Sequence, residues 1–185
     1  MAYLIKKAPS LTRTELLARP MPSITHPRFK QEMIPALWDA AVKYGIDPVG
    51  MVAQAAHETG WGNYPGNAVP EQHNTCGLKW HDSWRMQIID YPEEGDHMLS
   101  HAAFANWRTG AEAHAQHLLG YMGIKLPAWQ VNVDPRYSLA LANAELTGGA
   151  TEWSELGGHR RWAPNDQYGF NIEHIITQLI NGQGI

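Results

Sequence analysis

The chain of 185 residues has a single cysteine, Cys76, which excludes an internal disulfide framework and a four-thiolate zinc site. It has no lysine- or arginine-rich run. Its 14 Lys and Arg against 18 Asp and Glu leave a formal net charge of −4, whereas a nucleic-acid binder normally presents a basic patch. No nucleic-acid partner is therefore expected. No stretch reaches the roughly 20 apolar residues that a membrane helix requires, so no stable membrane association is expected either. The opening Met1-Ala2-Tyr3-Leu4-Ile5-Lys6-Lys7-Ala8-Pro9 lacks the apolar core of a signal peptide. Synthesis in the cytoplasm follows as the expectation, or an extracellular protein if a leader has been removed. There is no internal repeat and no low-complexity tract. What the chain has is 44% hydrophobic residues and eight tryptophans, ample core for one compact domain.

Residues 1–27 hold Pro9, Pro20, Pro22 and Pro27 without sustained periodicity, and read as an N-terminal arm carrying a short helix from Thr12 to Ala18. From Phe29 the pattern changes. Met33, Leu37, Ala40, Ala41 and Tyr44 fall at helical spacing, with Pro35 near the start and Gly45 as the C-terminal cap. Asp47-Pro48 reads as an N-cap followed by proline at the first helical position. It opens a small-residue apolar helix that ends at Thr59-Gly60, and Trp61 to Gln72 reads as a loop. Between Cys76 and Phe104 the helical signal disappears. Residues 85–91 are a strand candidate between a turn at His81-Asp82-Ser83 and another at Pro92 to Asp96, which together predict a small antiparallel lobe over about 77–105. Helices are predicted again at 110–121, 135–146 and 170–181.

Glu58 stands out chemically. It lies at the end of an otherwise apolar helix, directly before a glycine–tryptophan–glycine loop. Burial raises a carboxyl pKa because the charged form loses hydration, and an acid still protonated near neutral pH is what protonation of a glycosidic oxygen requires. Trp61, Trp80, Trp84 and Trp107 offer flat apolar faces for sugar rings. Read by itself, a helix-end glutamate is more often a local cap or salt-bridge partner.

The motif around it decides between these readings. Ala53-Gln54-Ala55-Ala56-His57-Glu58-Thr59-Gly60-Trp61-Gly62 resembles the Ala-Gln-Ala-x-x-Glu-Ser-Gly-Trp-Gly signature of the glucosaminidase family of the lysozyme superfamily, which includes flagellar muramidases, autolysins and phage endolysins. Further blocks follow in order. His73-Asn74-Thr75-Cys76-Gly77-Leu78-Lys79 is similar to the family's Asn-Asn-Leu-Phe-Gly-Ile-Lys. Phe104-Ala105-Asn106-Trp107 with Ala111-Glu112-Ala113-His114 resembles a segment leading into the next helix, and Trp162-Ala163-Pro164-Asn165-Asp166-Gln167-Tyr168 resembles the family's Tyr-Ala-Thr-Asp-Pro-x-Tyr. The resemblance covers about residues 29–182. It implies a mainly α (α+β) fold, a lysozyme-like helical domain over 28–185 whose small antiparallel β-lobe flanks a substrate cleft. It implies Glu58 as the general acid. The candidate substrate contacts are Trp61, Asn74, Lys79, Trp80, Trp107, Trp162 and Tyr168.

The chain departs from the pattern in places. Thr59 replaces serine, and Tyr64 and Pro65 stand where small polar residues are usual. Trp162 stands where the family has tyrosine, and indole donates a hydrogen bond but neither accepts one nor ionises. Either Tyr168 substitutes for that tyrosine or the mechanism differs. The resemblance also implies a second acid in the β-lobe, which here is Glu93, Glu94 or Asp96, with Glu94 favoured because it precedes Gly95 after the strand. An acid there would activate water opposite Glu58, and a wide carboxyl gap would imply inversion. Attack by the substrate's own 2-acetamido group and closure to an anhydro sugar are the alternatives.

The ten histidines raise the question of a metal. His57-Glu58 shares its first pair with a zincin helix, but Trp61 stands where the second histidine would be. His97 with His101, and His114 with His117, have ligand spacing only on helices. No metal and no cofactor is expected, and Cys76 reads as a small core filler rather than a nucleophile. The expected function is hydrolysis of the β-1,4 glycan bonds of peptidoglycan by a monomeric endo-N-acetylglucosaminidase, with glycan strands as the only partner. The absent leader points to a phage lysin made in the host cytoplasm and acting on the cell wall. A lytic transglycosylase, a muramidase and a non-catalytic wall-binding module are the competing readings.

Overall fold

The computed structural model describes residues 2–79, 91–93 and 96–183, with side chains over 2–79 and 101–183. The architecture is mainly helical. Helix α1 (Arg13–Ala18) opens on a capping box, in which the Thr12 hydroxyl accepts from the Glu15 amide while the Glu15 carboxylate accepts from the Thr12 amide. A π-helical turn (Phe29–Met33) leads into α2 (Ile34–Tyr44), whose first turn holds Pro35 as the sequence predicts. Helix α3 (Pro48–Thr59) starts as the sequence predicts: the Asp47 carboxylate accepts from the Val49 amide at 3.3 Å and Pro48 fills the first turn. Left-handed Gly45 and Gly60 end α2 and α3.

Helix α3 is the centre of the molecule, packed between α2 and α6 (Tyr168–Asn181), while α4 (Trp107–Tyr121) packs on α2 and α5 (Tyr137–Thr147). Every α3 residue from Pro48 to Ala56 is buried. This explains its run of alanine, valine and glycine, since small side chains let neighbouring helices approach on all faces. The N-terminal residues contribute to this core. Ile5 and Leu16 are fully buried, and the Ile5 amide donates to Thr151 O at 2.9 Å while Ile5 O accepts from the Asp47 amide at 2.8 Å.

Two short strands, β1 (Tyr91–Glu93) and β2 (Asp96–His101), pair antiparallel, with Tyr91 opposite His101 and Glu93 opposite Asp96. His101 also bridges Lys79. The strand candidate at 85–90, the turn at 81–83 and residues Trp80, Trp84 and Glu94 lie outside the described residues.

One close approach locks the loop after the 3₁₀ turn (Pro70–Gln72) onto α4. A Cβ at Gly110 would stand 1.8 Å from His73 O, so only glycine lets the α4 backbone meet this loop. The loop is braced from within by Asn74. Its Nδ2 donates to Leu78 O and Ala102 O, both at 2.9 Å, and its Oδ1 accepts from the Cys76 and Leu78 amides.

Candidate active site

Glu58, near the C-terminal end of α3, is half-buried at the junction of α3, α4, the start of α6 and the Asn74-to-Lys79 loop. Two donors converge on one of its oxygens. The Trp162 indole Nε1 donates to Glu58 Oε1 at 2.8 Å, and the Tyr168 hydroxyl makes a short hydrogen bond to the same atom. Burial raises the Glu58 pKa above the ordinary glutamate value by stripping water from the charged form. The Tyr168 and Trp162 hydrogen bonds and the nearby positive ends of His117 and Lys79 act in the opposite direction. The second oxygen, Oε2, lies toward Gly77, where a Cβ would stand 3.4 Å away. Gly77 has φ +65°, a left-handed conformation that glycine adopts without penalty, so the loop turns close beside Oε2 without covering it with a side chain.

Trp162 is held by rings on one side of α4: its indole meets His117 edge-on with centroids 4.8 Å apart, and His114 and Tyr121 at 5.4 and 5.8 Å. Beyond Tyr168 the polar contacts continue inward. Gln54 Nε2 donates to the Tyr168 hydroxyl at 2.9 Å, His114 Nε2 meets Gln54 Oε1 at 2.9 Å, and Thr75 Oγ1 meets His114 Nδ1 at 3.1 Å. His117 Nδ1 pairs with the buried Asp134 carboxylate at 2.8 Å.

The structure sorts the sequence candidates. Trp162 sits on Glu58 and remains half-buried, and Lys79 is close enough for its charge to act on the carboxyl. Lys79 Nζ also meets His101 Nε2 at 2.9 Å. Trp107 is half-buried, donates to Glu32 Oε2 at 2.7 Å and lies against His73 and Tyr64. Three candidates are placed away from solvent. Asn74 is fully buried and its amide is spent on the loop, leaving nothing for a sugar. Trp61 is only 7% exposed with its ring edge-on to Phe29, so it has no open face on which to stack. Tyr168 is buried beneath Glu58 rather than on an open wall. Glu93 and Asp96 lie on β1 and β2, at a backbone pair; their side chains, and Glu94 and Trp80 entirely, fall outside the described residues.

Cys76 is buried with Leu78, Ala102, Phe104 and Ala113, and burial keeps its thiol far above the ordinary range. His101 lies on a strand with His97, and the rings of His114 and His117 bond Gln54, Thr75 and Asp134. Among the described residues no group of three or more His, Cys, Asp or Glu is placed to hold a metal ion. Sequence reasoning missed Gln54, Thr75 and His114 as members of the site. Each lies within a motif block, but a polar residue there has no chemical signature of its own. What would have flagged Gln54 and His114 is that each interrupts the buried stripe of a small-residue helix, where a polar group must find a partner.

The family model for glucosaminidase, described as mannosyl-glycoprotein endo-beta-N-acetylglucosaminidase, matches residues 34–181. Among solved structures, the chain is similar to a peptidoglycan hydrolase mutant from Sphingomonas sp. A1, at 20% identity over 83% of this chain and 96% of that one, with a TM-score of 0.50. That likeness concerns the fold. A second similarity, at 20% identity over 86% of this chain and 88% of the other with a TM-score of 0.42, is to the catalytic domain of the autolysin Auto from Listeria monocytogenes. No curated protein matches the chain. The family match runs from the start of α2 to the end of α6 and takes in Glu58, the donors that converge on it and the loop beside it: the chain belongs to the glucosaminidase family of glycoside hydrolases.

Proposed function

We propose that this protein cleaves the β-1,4 glycan bonds of bacterial peptidoglycan as an endo-N-acetylglucosaminidase, with Glu58 as its general acid. The observation that carries the reading is the state of Glu58. Burial favours its protonated form, two donors occupy Oε1, and Oε2 is left as the oxygen that bears the proton beside an uncovered glycine. A proton held there is available to a leaving glycosidic oxygen. The carboxylate formed on transfer is received by donors already in place, so little reorganisation is needed at the moment of reaction.

In the same reading, the β1–β2 pair belongs to a small lobe that forms the far wall of the substrate cleft. Glu94, or its neighbour Glu93, supplies the second carboxylate from that wall by activating water on the opposite face of the sugar. Lys79, Trp80, Trp107 and Trp162 provide the substrate contacts. Residues 28–185 form the catalytic unit and residues 1–27 an arm laid on it. The biological setting is a phage lysin acting as a monomer on the cell wall.

The test is digestion of purified cell walls followed by mass spectrometry of the fragments. Glu58→Gln abolishes clearing while thermal unfolding stays near that of the parent; substantial residual clearing removes Glu58 from its role. The parent yields reducing-end N-acetylglucosamine. An anhydro end identifies transglycosylation, and a reducing-end N-acetylmuramic acid identifies a muramidase. Full activity in the Glu93→Gln/Glu94→Gln double variant excludes both as the second carboxylate.

A further inference from the structure

The buried polar groups behind Glu58 form one continuous row drawn from separate parts of the chain: Thr75 from the braced loop, His114 from α4, Gln54 from α3 and Tyr168 from α6. Thr75, His114 and Gln54 have no solvent exposure, so the row's hydrogen bonds are made within the protein and each proton has a defined place.

Those places follow from what each group is able to donate. The Trp162 indole only donates, and it donates to Glu58 Oε1, so that oxygen is an acceptor. The Tyr168 hydroxyl has one proton. Gln54 Nε2 is an amide nitrogen and only donates, so it fills a lone pair on the Tyr168 oxygen, and the tyrosine's proton goes to Glu58. The other end of the same amide, Gln54 Oε1, only accepts; His114 Nε2 must therefore bear a hydrogen. Burial pulls the His114 pKa down to about 3, so its ring is neutral and has a single N–H. With that hydrogen on Nε2, Nδ1 is a bare lone pair, and Thr75 Oγ1 is its donor. Every hydrogen in the row points toward Glu58.

The opposite sense is also a closed pattern of bonds. A reversed Gln54 amide would accept from Tyr168 and donate to His114, moving the ring hydrogen to Nδ1. Glu58 would then have to donate to Tyr168 from Oε1, the same oxygen that takes the indole N–H. Trp162 breaks the symmetry between the two senses, because it cannot reverse.

We propose that Thr75, His114 and Gln54 are positioning residues whose one-way row of hydrogen bonds fixes the Tyr168 proton on Glu58 Oε1 and so keeps the acid's own proton on Oε2. The assignment rests on the reading of Glu58 as the general acid. It gives a distinct task to groups that have no access to substrate. The row makes the two carboxyl oxygens inequivalent, and its donors reinforce one another as partial charges add along it. The other charged or titratable groups that act on Glu58 are His117 from α4 and Lys79 from the bridge to β2; the Cys76 thiol lies in the loop between them.

The first readout needs no activity. Long-range proton–nitrogen spectra of ¹⁵N-histidine-labelled protein, with His114 assigned through a His114→Phe variant, report which ring nitrogen bears hydrogen. The expected result is the Nε2–H tautomer at neutral pH. In Thr75→Val, an isosteric change that removes the donor, the Nδ1 resonance moves to the position of a lone pair without a hydrogen bond. An Nδ1–H tautomer overturns the proposal. So does an Nδ1 resonance that is unchanged in Thr75→Val.

The second readout is the pH dependence of kcat/KM. Gln54→Met withdraws the donor to Tyr168 and moves the basic limb up by about half a pH unit; a limb that stays in place while only the amplitude falls overturns the proposal. Should Gln54→Met fail to fold, the tautomer measurement decides alone. If Glu58→Gln remains active, the reading of Glu58 fails whatever the tautomer. If Glu58→Gln is inactive and His114 is Nδ1–H, the row alone fails.

Discussion

Glu58 Oε1 accepts from an indole and a phenol at once, an arrangement that answers the question raised by a tryptophan at position 162. Indole does not ionise and has no lone pair to offer, so Trp162 has no acid–base role; its contribution is a fixed N–H on the carboxylate. A hydrogen bond to a charged group is worth about 1.5–3 kcal/mol. Its loss in Trp162→Phe is therefore expected to raise the basic limb of the kcat/KM profile by about one to two pH units. An unmoved limb in a folded variant would mean that the indole serves packing against His117 and Tyr121 alone. Glu58 was legible as a candidate because its motif and its place on an apolar helix are written in neighbouring residues. The burial of Asn74, Trp61 and Tyr168 was not legible for the converse reason: a motif records that a side chain matters without recording which way it faces. Their burial is set by Ala102, Phe29 and Gln54, residues remote in the chain.

At the scale of elements, the site depends on how closely α4 meets the 73–79 loop. Gly110 permits the contact, Asn74 stiffens the loop, and Asn106 caps α4 by accepting from the Thr109 amide at 3.0 Å. Gly110→Ala places a methyl group against His73 O and must push the loop away. Overpacking of this kind costs about 1–3 kcal/mol, and the displaced loop takes Thr75 off His114. The expectation is a lower unfolding midpoint together with reduced activity, read by denaturant titration and wall clearing. Parent-like stability would show that the loop yields without cost. The helices themselves were largely legible: Asp47-Pro48 and Gly45 mark ends through local hydrogen bonding and backbone conformation, which adjacent residues control. What the apolar period does not show is the π-helical turn (Phe29–Met33) ahead of α2, whose hydrogen bonding departs from the 3.6-residue repeat.

For the whole molecule, the buried titratable groups make stability depend on pH in two opposite ways. His114 has a folded pKa near 3, below its ordinary value of 6.5. Below about 6.5 the unfolded chain takes up a proton that the folded protein refuses. Stability falls as the pH drops toward 3, at up to about 1.4 kcal/mol per pH unit from this one group. Glu58 has a raised folded pKa, so its contribution is fully present below the unfolded value of 4.5 and is lost as pH rises through the folded value. Denaturant unfolding across pH should accordingly show a shallower acid-side slope in His114→Phe than in the parent, and a matched slope would mean that His114 protonates in the folded state.

The family, the helical character and the candidacy of Glu58 were all readable from the amino-acid order, because motif spacing, caps and apolar period are properties of residues close together in the chain. Folding was needed to choose Trp162 and Tyr168 as the partners of Glu58, to bury Asn74 as a strut and to draw Thr75, His114 and Gln54 into line behind the acid. A hydrogen bond joins donors and acceptors a few ångströms apart in space. Here the pairs lie up to 114 residues apart in the chain, a separation across which no local pattern carries direction.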